Sequence, residues 1–343
     1  DAWFDERAHC AAGAAPARVA AVDRDQWLLV NAAGVFRARL AGAYAHHHPQ
    51  AEALPCVGDW VCVGHRPGDD FGIVHAVLER RTTLKRKAVG HGIDAQMIAA
   101  NVDVVVIVQS CHFDFNLKRL ERYLVMVREG GAEPMLLLTK TDLVAPEVLA
   151  QQQAQIRASG IAWPIHALSN LAQTGVDEFQ RVLQPGRSYC FVGSSGVGKS
   201  TLINHLIGRA AQETGVVSGT GEGRHTTVRR ELIRLAGGAL VIDNPGMREF
   251  GLVDADQGLA GGFADIDALA AQCRYRDCTH INEGGCAVLA ALAAGTLDHA
   301  HYENFLKLRK EAAFHALSQV ERRKKERDFG KFIKSVKKHL RDD

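Results

Sequence analysis

The octapeptide Gly193-Ser-Ser-Gly-Val-Gly-Lys199-Ser200 constrains this chain more than any other stretch. It fits G-x-x-x-x-G-K-[ST] at every fixed position and has the required flanks, an apolar strand at Tyr189–Val192 and an apolar helix from Thr201. A chain that passes from a buried strand into a helix through three glycines can curl its backbone into a cradle. The N–H groups of Gly193, Ser194, Ser195, Gly196, Val197 and Gly198 then converge on phosphate oxygens, and the positive end of the helix at Thr201 adds to the attraction. Lys199 is expected to reach the β- and γ-phosphates, and Ser200 to set its hydroxyl on Mg²⁺.

The residues around the loop alternate between strand and helix patterns. Val104–Val108, Pro134–Leu138, Trp163–His166, Ser188–Val192, Leu232–Leu235 and Ala239–Ile242 read as strands. Leu117–Arg128, Glu147–Ala158, Val176–Leu183 and Lys199–Ile207 read as helices. Strands apolar on both faces imply a mostly parallel sheet with helices on both sides. Earlier, Arg18–Val22, Trp27–Val30, Val35–Leu40, Gly58–Gly64 and Phe71–Leu78 are five short strand patterns separated by turn-rich stretches. They fit a small barrel such as an OB-fold, and segmentation alone leaves an SH3-like barrel open. Hydrophobic residues at 47% and charged residues at 23% exclude a disordered or collagen-like chain. The longest apolar runs, such as Val102–Val108 with its single Asp103 and Ala287–Ala294, fall short of the ~20 residues a membrane helix needs. No charged start leads into an apolar run, so no export signal is expected. Asp1 in place of Met leads us to expect that a short N-terminal piece is missing.

Further motifs say which nucleotide is bound. Asp243-Asn-Pro-Gly246 ends an apolar strand, where Asp243 can hold Mg²⁺ through water and Gly246 can offer its N–H to the γ-phosphate. Between it and the phosphate loop lies the polar stretch Gly221–Thr227, in which Thr227 can close over Mg²⁺ and the γ-phosphate. Thr139-Lys140-Thr141-Asp142 resembles the N-K-x-D base motif of GTPases, with Thr139 where an Asn amide would touch the base. A carboxylate there accepts from N1–H and the 2-amino group of guanine; adenine lacks that pair and would leave a buried Asp142 unsatisfied. Ala167-Leu168-Ser169 falls where GTPases carry their S-A-K loop. A regular GTPase runs phosphate loop, switch, D-x-x-G, base motif, S-A-x. Here the last two come first, so the chain reads as a circular permutation, which needs only close old termini and new ends in a surface loop. Met247 stands where many GTPases place a water-orienting Gln, so intrinsic turnover should be slow, with His225 or a group supplied in trans as the alternatives.

Cys273-x4-Cys278-x-His280-x5-Cys286 offers three thiolates and one imidazole, a full tetrahedral set for one structural zinc with no open position. Cys10, Cys56, Cys62, Cys111 and Cys190 are scattered and expected to stay reduced. The net charge of +2 hides an asymmetry: from Glu321 to Asp343 ten Lys or Arg face five Asp or Glu, whereas the rest of the chain is net acidic. Gly330–Arg341 patterns as a basic amphipathic helix in which Lys331, Lys334, Lys337, Lys338 and Arg341 are candidate phosphate contacts, as is the knot Lys85-Arg86-Lys87. Trp60 and Phe71 could stack on bases, though core packing suits Trp60 better.

Several of these stretches together resemble the RsgA/YjeQ family of circularly permuted GTPases of small ribosomal subunit assembly. They are Val57-Gly-Asp-Trp60-Val, Ala99-Ala-Asn-Val-Asp103, Gly193–Ser200, Gly223-Arg-His-Thr-Thr227, Asp243–Gly246 with Arg248-Glu-Phe250, and the cysteine cluster. The resemblance implies an OB barrel over 1–81, a linker over 82–100, a permuted GTPase domain over 101–253 and a helical zinc domain with a basic tail over 254–343. It implies subunit-stimulated hydrolysis of GTP to GDP, with the small ribosomal subunit and its rRNA as partners. A cytoplasmic monomer with no membrane contact is expected. Two other readings compete: an RNA-binding assembly module for which nucleotide is a structural ligand, favoured by Met247, and an ATP-using kinase, disfavoured by Asp142.

Overall fold

The computed structural model describes residues 9–23, 25–48, 50–66, 69–87, 95–214, 230–243 and 262–316. Five strands open the chain: β1 (Ala15–Asp23), β2 (Gln26–Asn31), β3 (Gly34–Leu40), β4 (Trp60–Gly64) and β5 (Gly72–Val77). Their order β1-β2-β3-β5-β4 closes through a β1–β4 pairing. β3 and β5 run parallel, and helix α1 (Gly42–His47) lies between β3 and β4. The parallel pair and the intervening helix are OB-fold features, which removes the SH3-like alternative. Alternate residues such as Val19, Leu29, Ala38, Val61 and Val74 fill the barrel.

One expectation fails here. Cys10 and Cys62 are not reduced thiols but a disulfide, with Cα atoms 5.4 Å apart. The antiparallel register Pro16↔Cys62 brings the segment before β1 back over β4, a proximity that 52 residues of separation conceal. The expected linker is also structured: β6 (Thr83–Lys87) and β7 (Ala95–Ala100) form an antiparallel ribbon.

The central sheet contains β8 (Val104–Ser110), β9 (Glu133–Thr139), β10 (Ile165–Ala167), β11 (Ser188–Val192), β12 (Glu231–Arg234) and β13 (Leu240–Asp243). Its order is β10-β9-β8-β11-β13-β12, parallel except for β12. Counted from the phosphate-loop strand β11 as first, this is the order 6-5-4-1-3-2, so the permutation changes where the chain starts and leaves the sheet intact. β8 is buried at all seven positions, as a strand covered on both faces must be. Helices α2 (Leu117–Glu129), α3 (Pro146–Ala158), α4 (Val176–Val182) and α5 (Lys199–Thr214) connect the strands. The Asn116 side chain caps α2 by accepting from Arg119 N–H, and α3 begins with Pro146, whose missing N–H costs nothing there. Barrel and sheet join where β1 meets β12 and around Asn101, whose side chain donates to Gly58 O and accepts from Arg81 N–H.

The C-terminal helices α6 (Ala264–Ala270), α7 (Ala287–Ala293) and α8 (His299–Ala316) share one apolar core with α2, on which α8 packs while α6 packs on α7. Arg122 forms a bidentate pair with Glu311 at 2.7 and 2.8 Å. Beside it the buried His301 ring bridges Glu121 (2.6 Å) and Asp265 (3.1 Å), and Asn304 also donates to Glu121. Burial alone would lower the imidazolium pKa; the hydrogen bonds and charges of Asp265 and Glu121 outweigh it and hold it at about 9. A cation with a raised folded-state pKa contributes stability that is complete below its unfolded value near 6.5. That contribution shrinks above 6.5 and is gone once pH passes 9. Urea midpoints should therefore fall between pH 6 and 9.5 in the native chain, and less in His301→Gln. An equal fall in both would refute the assignment. Removing the imidazole leaves Glu121 buried without its counter-charge, which costs about 3–5 kcal/mol at neutral pH.

Candidate functional site

The phosphate loop leaves β11 at the carboxyl edge of the sheet. Gly193 has φ +141, and a Cβ there would run into Val108 O, so only glycine lets β11 pass so close to β8. Lys199 folds over the loop and donates to Gly193 O (2.7 Å) and Ser194 O (2.6 Å). From the neighbouring edge, β9 ends at Thr139, Lys140 takes a left-handed φ of 59°, and a 3₁₀ turn at Thr141–Leu143 carries Asp142. The Ser169 hydroxyl donates to Asp142 Oδ1 and accepts from Ala172 N–H at 2.9 Å, so the carboxylate has a fixed aim. These two loops line one cavity of about 750 Å³, bounded by Lys140, Asp142, Leu143, Asn170, Leu171, Gln173, Ser195, Gly196, Gly198, Lys199, Ser200, Thr201 and His205. A base-reading carboxylate and a phosphate-reading lysine, 57 residues apart and inverted along the chain, thus share one concavity.

Some expected residues sit elsewhere. Thr139 is fully buried, and its hydroxyl donates to Val197 O (2.6 Å) of the phosphate loop, away from the cavity. Ala167 ends β10, and Leu168 is in the core. The loop that follows β10 reaches the cavity two residues later than expected, through Asn170 and Leu171, with Ser169 holding Asp142. Asp142 is exposed at the rim rather than buried. Leu143, Asn170, Leu171, Gln173 and His205 belong to no motif of the sequence, and only the fold brings them to the cavity. Lys140 Nζ lies 4.3 Å from the centre of the exposed Phe113 ring. Asp243 closes β13, the strand paired in parallel with β11. Thr227, His225, Gly246 and Met247 lie outside the described residues, as do Lys331, Lys334, Lys337, Lys338 and Arg341. In the basic knot, Lys85 is engaged by Glu52 at 3.0 Å; Arg86 and Lys87 continue β6. The Arg39 guanidinium lies over Phe71 (4.1 Å) and that of Arg18 over Trp60 (5.7 Å).

The second cluster joins the C-terminal helices. Cys273 follows α6, Cys286 precedes α7, and His280, at a left-handed φ of 59°, sits between them. Cys273 Sγ is 3.8 Å from Cys286 Sγ and 3.6 Å from His280 Nδ1, and Cys286 Sγ is 3.4 Å from His280 Nδ1. One ligand atom from each of these and from Cys278 falls within 4.8 Å of the others, a set that can hold a metal ion. Tyr302 of α8 donates to His280 O (2.5 Å) and fixes the left-handed residue from outside.

The family model of the RsgA GTPase matches residues 77–253, from the end of β5 through the phosphate loop and past β13. The chain belongs to the RsgA GTPase family. It is accordingly a GTP-hydrolysing enzyme. It is 43% identical over 311 residues to the small ribosomal subunit biogenesis GTPase RsgA of Opitutus terrae, covering 88% of this chain and 84% of that one. It is 41% identical over 341 residues to a protein of the same name, numbered 2, from Listeria monocytogenes, covering 98% and 96%. Among solved structures it resembles YjeQ from Thermotoga maritima (TM-score 0.65, 22% identity, 88% of this chain and 99% of that one). It also resembles YloQ, described as a circularly permuted GTPase (TM-score 0.63, 23% identity, 89% and 97%). These likenesses carry the fold: the permuted sheet of RsgA GTPases is the one found here. Among the described residues no helix is long and apolar enough to cross a membrane.

Proposed function

We propose that the chain hydrolyses GTP on the small ribosomal subunit, with turnover stimulated by that subunit, and serves as a late assembly checkpoint. The observation that carries the reading is the single cavity lined by both Asp142 and Lys199. Asp142 accepts the two donors of guanine, and the loop amides with Lys199 bind the β- and γ-phosphates. Mg²⁺ bound with the nucleotide neutralises phosphate charge; Ser200, which lines the cavity, would hold it together with Asp243 and Thr227. Thr227 and Gly246 would sense the γ-phosphate, and His225 would orient water once the switch closes. Ordering of the switch by GTP and its release on hydrolysis give the protein a bound and a released state.

The metal of the cysteine cluster is proposed to be zinc. Bonds of about 2.3 Å to sulfur and about 2.0 Å to nitrogen at tetrahedral angles place ligand atoms roughly 3.5–3.8 Å apart. The separations of 3.4, 3.6 and 3.8 Å match that frame. Contacts to rRNA are assigned to Arg86, Lys87 and the basic segment Lys331–Arg341; Lys85, paired with Glu52, is the weakest member of that set. A cytoplasmic monomer is the corresponding setting.

Turnover of GTP with and without purified small subunits, at two salt concentrations, tests the reading. Met247 predicts a slow intrinsic rate, and subunits should raise it by about tenfold or more, a small part of what groups supplied in trans achieve elsewhere. Added salt should weaken the stimulation, because phosphate contacts release counterions. Subunits that bind without accelerating turnover would favour the alternative, an assembly module for which nucleotide is a structural or switch ligand.

A further inference from the structure

Two side chains from the base side of the cavity grip consecutive carbonyls of the phosphate loop. Thr139 Oγ1 donates to Val197 O at 2.6 Å, and Asn170 Nδ2 donates to Gly198 O at 3.0 Å. Asn170 comes close to the loop backbone: Gly198 has φ +98, a conformation that calls for glycine, and its Cα faces Asn170 Nδ2, which would lie 2.8 Å from a Cβ built there. A carboxamide pressed on a carbonyl must present its nitrogen, so the orientation of Asn170 is set by chemistry. Its Oδ1 is then the remaining polar atom. That oxygen is buried and has no hydrogen-bond partner among the described residues. Buried acceptors are rarely left so, and the exceptions call for a reason. Asn170 itself lines the cavity that holds Asp142 and Lys199.

The base motif explains why an amide is needed here. Its first position is Thr139, which spends its hydroxyl on Val197 O and offers no carboxamide to the cavity. We propose that Asn170 takes over that role: its N–H ties the loop after β10 to Gly198, and its Oδ1 accepts a hydrogen bond from the bound guanine nucleotide. The inference rests on the cavity being the nucleotide site. Asp142 occupies N1–H and one hydrogen of the 2-amino group. The donors left for Asn170 are the second amino hydrogen and the ribose hydroxyls.

Affinities of GDP, inosine diphosphate, 2′-deoxy-GDP and 3′-deoxy-GDP for the native chain and for Asn170→Ala identify the donor. Asn170→Ala should weaken GDP by about tenfold, as loss of a hydrogen bond to a buried acceptor does. The penalty should shrink to under about threefold for the one analogue that lacks the partner group. An equal penalty on all four ligands, or none on any, overturns the proposal. Asn170→Ser, also too short to span the gap, is the second variant should Asn170→Ala melt early, and the same pattern is expected of it. The native chain's preference for GDP over ADP tests the cavity separately. Its absence would remove the guanine reading itself, whereas its presence beside a flat Asn170→Ala series would remove only the role of Asn170.

Discussion

Asp142→Asn should weaken GDP by about 10³-fold or more and at the same time create a site for xanthosine diphosphate. Guanine shows Asp142 two donors, N1–H and the 2-amino group. An asparagine meets them with one acceptor and one donor, so an N–H faces an N–H. Mismatches of that kind, which strand a polar group, account for discrimination of about 10⁴–10⁵ at sites built for hydrogen bonding. Xanthine keeps N1–H and replaces the amino group by a carbonyl, which restores the match. The aim of the side chain should survive the change, because Ser169 Oγ is itself held by Ala172 N–H at 2.9 Å. Asp142 is exposed, so thermal stability should move little, within the roughly 0.5 kcal/mol usual for surface changes. Competition of GDP, ADP and xanthosine diphosphate against a fluorescent guanine nucleotide measures all of this. Less than a tenfold loss of GDP would mean that Asp142 does not read the base.

The parts of this site that sequence revealed are those where one residue type is sterically or chemically forced. Gly193 is such a case, since no other residue lets β11 pass Val108. The five-residue apolar run Val104–Val108 of β8 is another: a strand buried on both faces has no polar alternation to offer. Val57-Gly-Asp-Trp60 and Ala99–Asp103 were legible as motifs without a visible cause. The structure supplies one: Asp59 is buried against Arg80 (2.7 Å), and Asn101, at φ 55, ties Gly58 to Arg81. These are the seams between barrel, ribbon and sheet. What stayed hidden depends on direction or on distance. Thr139 lies in the base motif, yet strand geometry turns its hydroxyl inward to Val197. The loop after β10 has no periodicity to fix its register, so its residues at the cavity, Asn170 and Leu171, are not legible from spacing. Glu121, Asp265 and His301 look like solvated helix charges and meet only because α2, α6 and α8 converge across 180 residues. Cys10 and Cys62 gave no sign of each other for the same reason.

The second large effect is expected at the cysteine cluster. Cys286→Ala should abolish binding of the proposed zinc, from about one ion per chain to near none, and make the region from Gly262 to Ala316 susceptible to protease. Three features make this site hard to lose quietly. Cys286 and His280 are buried, so a vacated ligand position cannot be filled by bulk water. The thiol groups of Cys273 and Cys286 also accept from Ala287 N–H and Leu289 N–H, so the same atoms that would meet the ion begin α7. His280 is held left-handed only by its neighbours, with Tyr302 on its carbonyl. Structural zinc contributes about 10–16 kcal/mol in small domains, more than a typical domain's whole stability of about 5–15 kcal/mol. Helices α6 and α7 have only seven residues each, too few to stand without tertiary support. The nucleotide cavity shares no residue with the cluster, so GDP affinity should stay within about threefold of native. Metal analysis, limited proteolysis and GDP titration on one preparation give the three numbers. A Cys286→Ala protein as resistant to protease as the native chain would mean that packing of Phe305, Leu308 and Tyr302 carries the C-terminal helices and that the ion only decorates them.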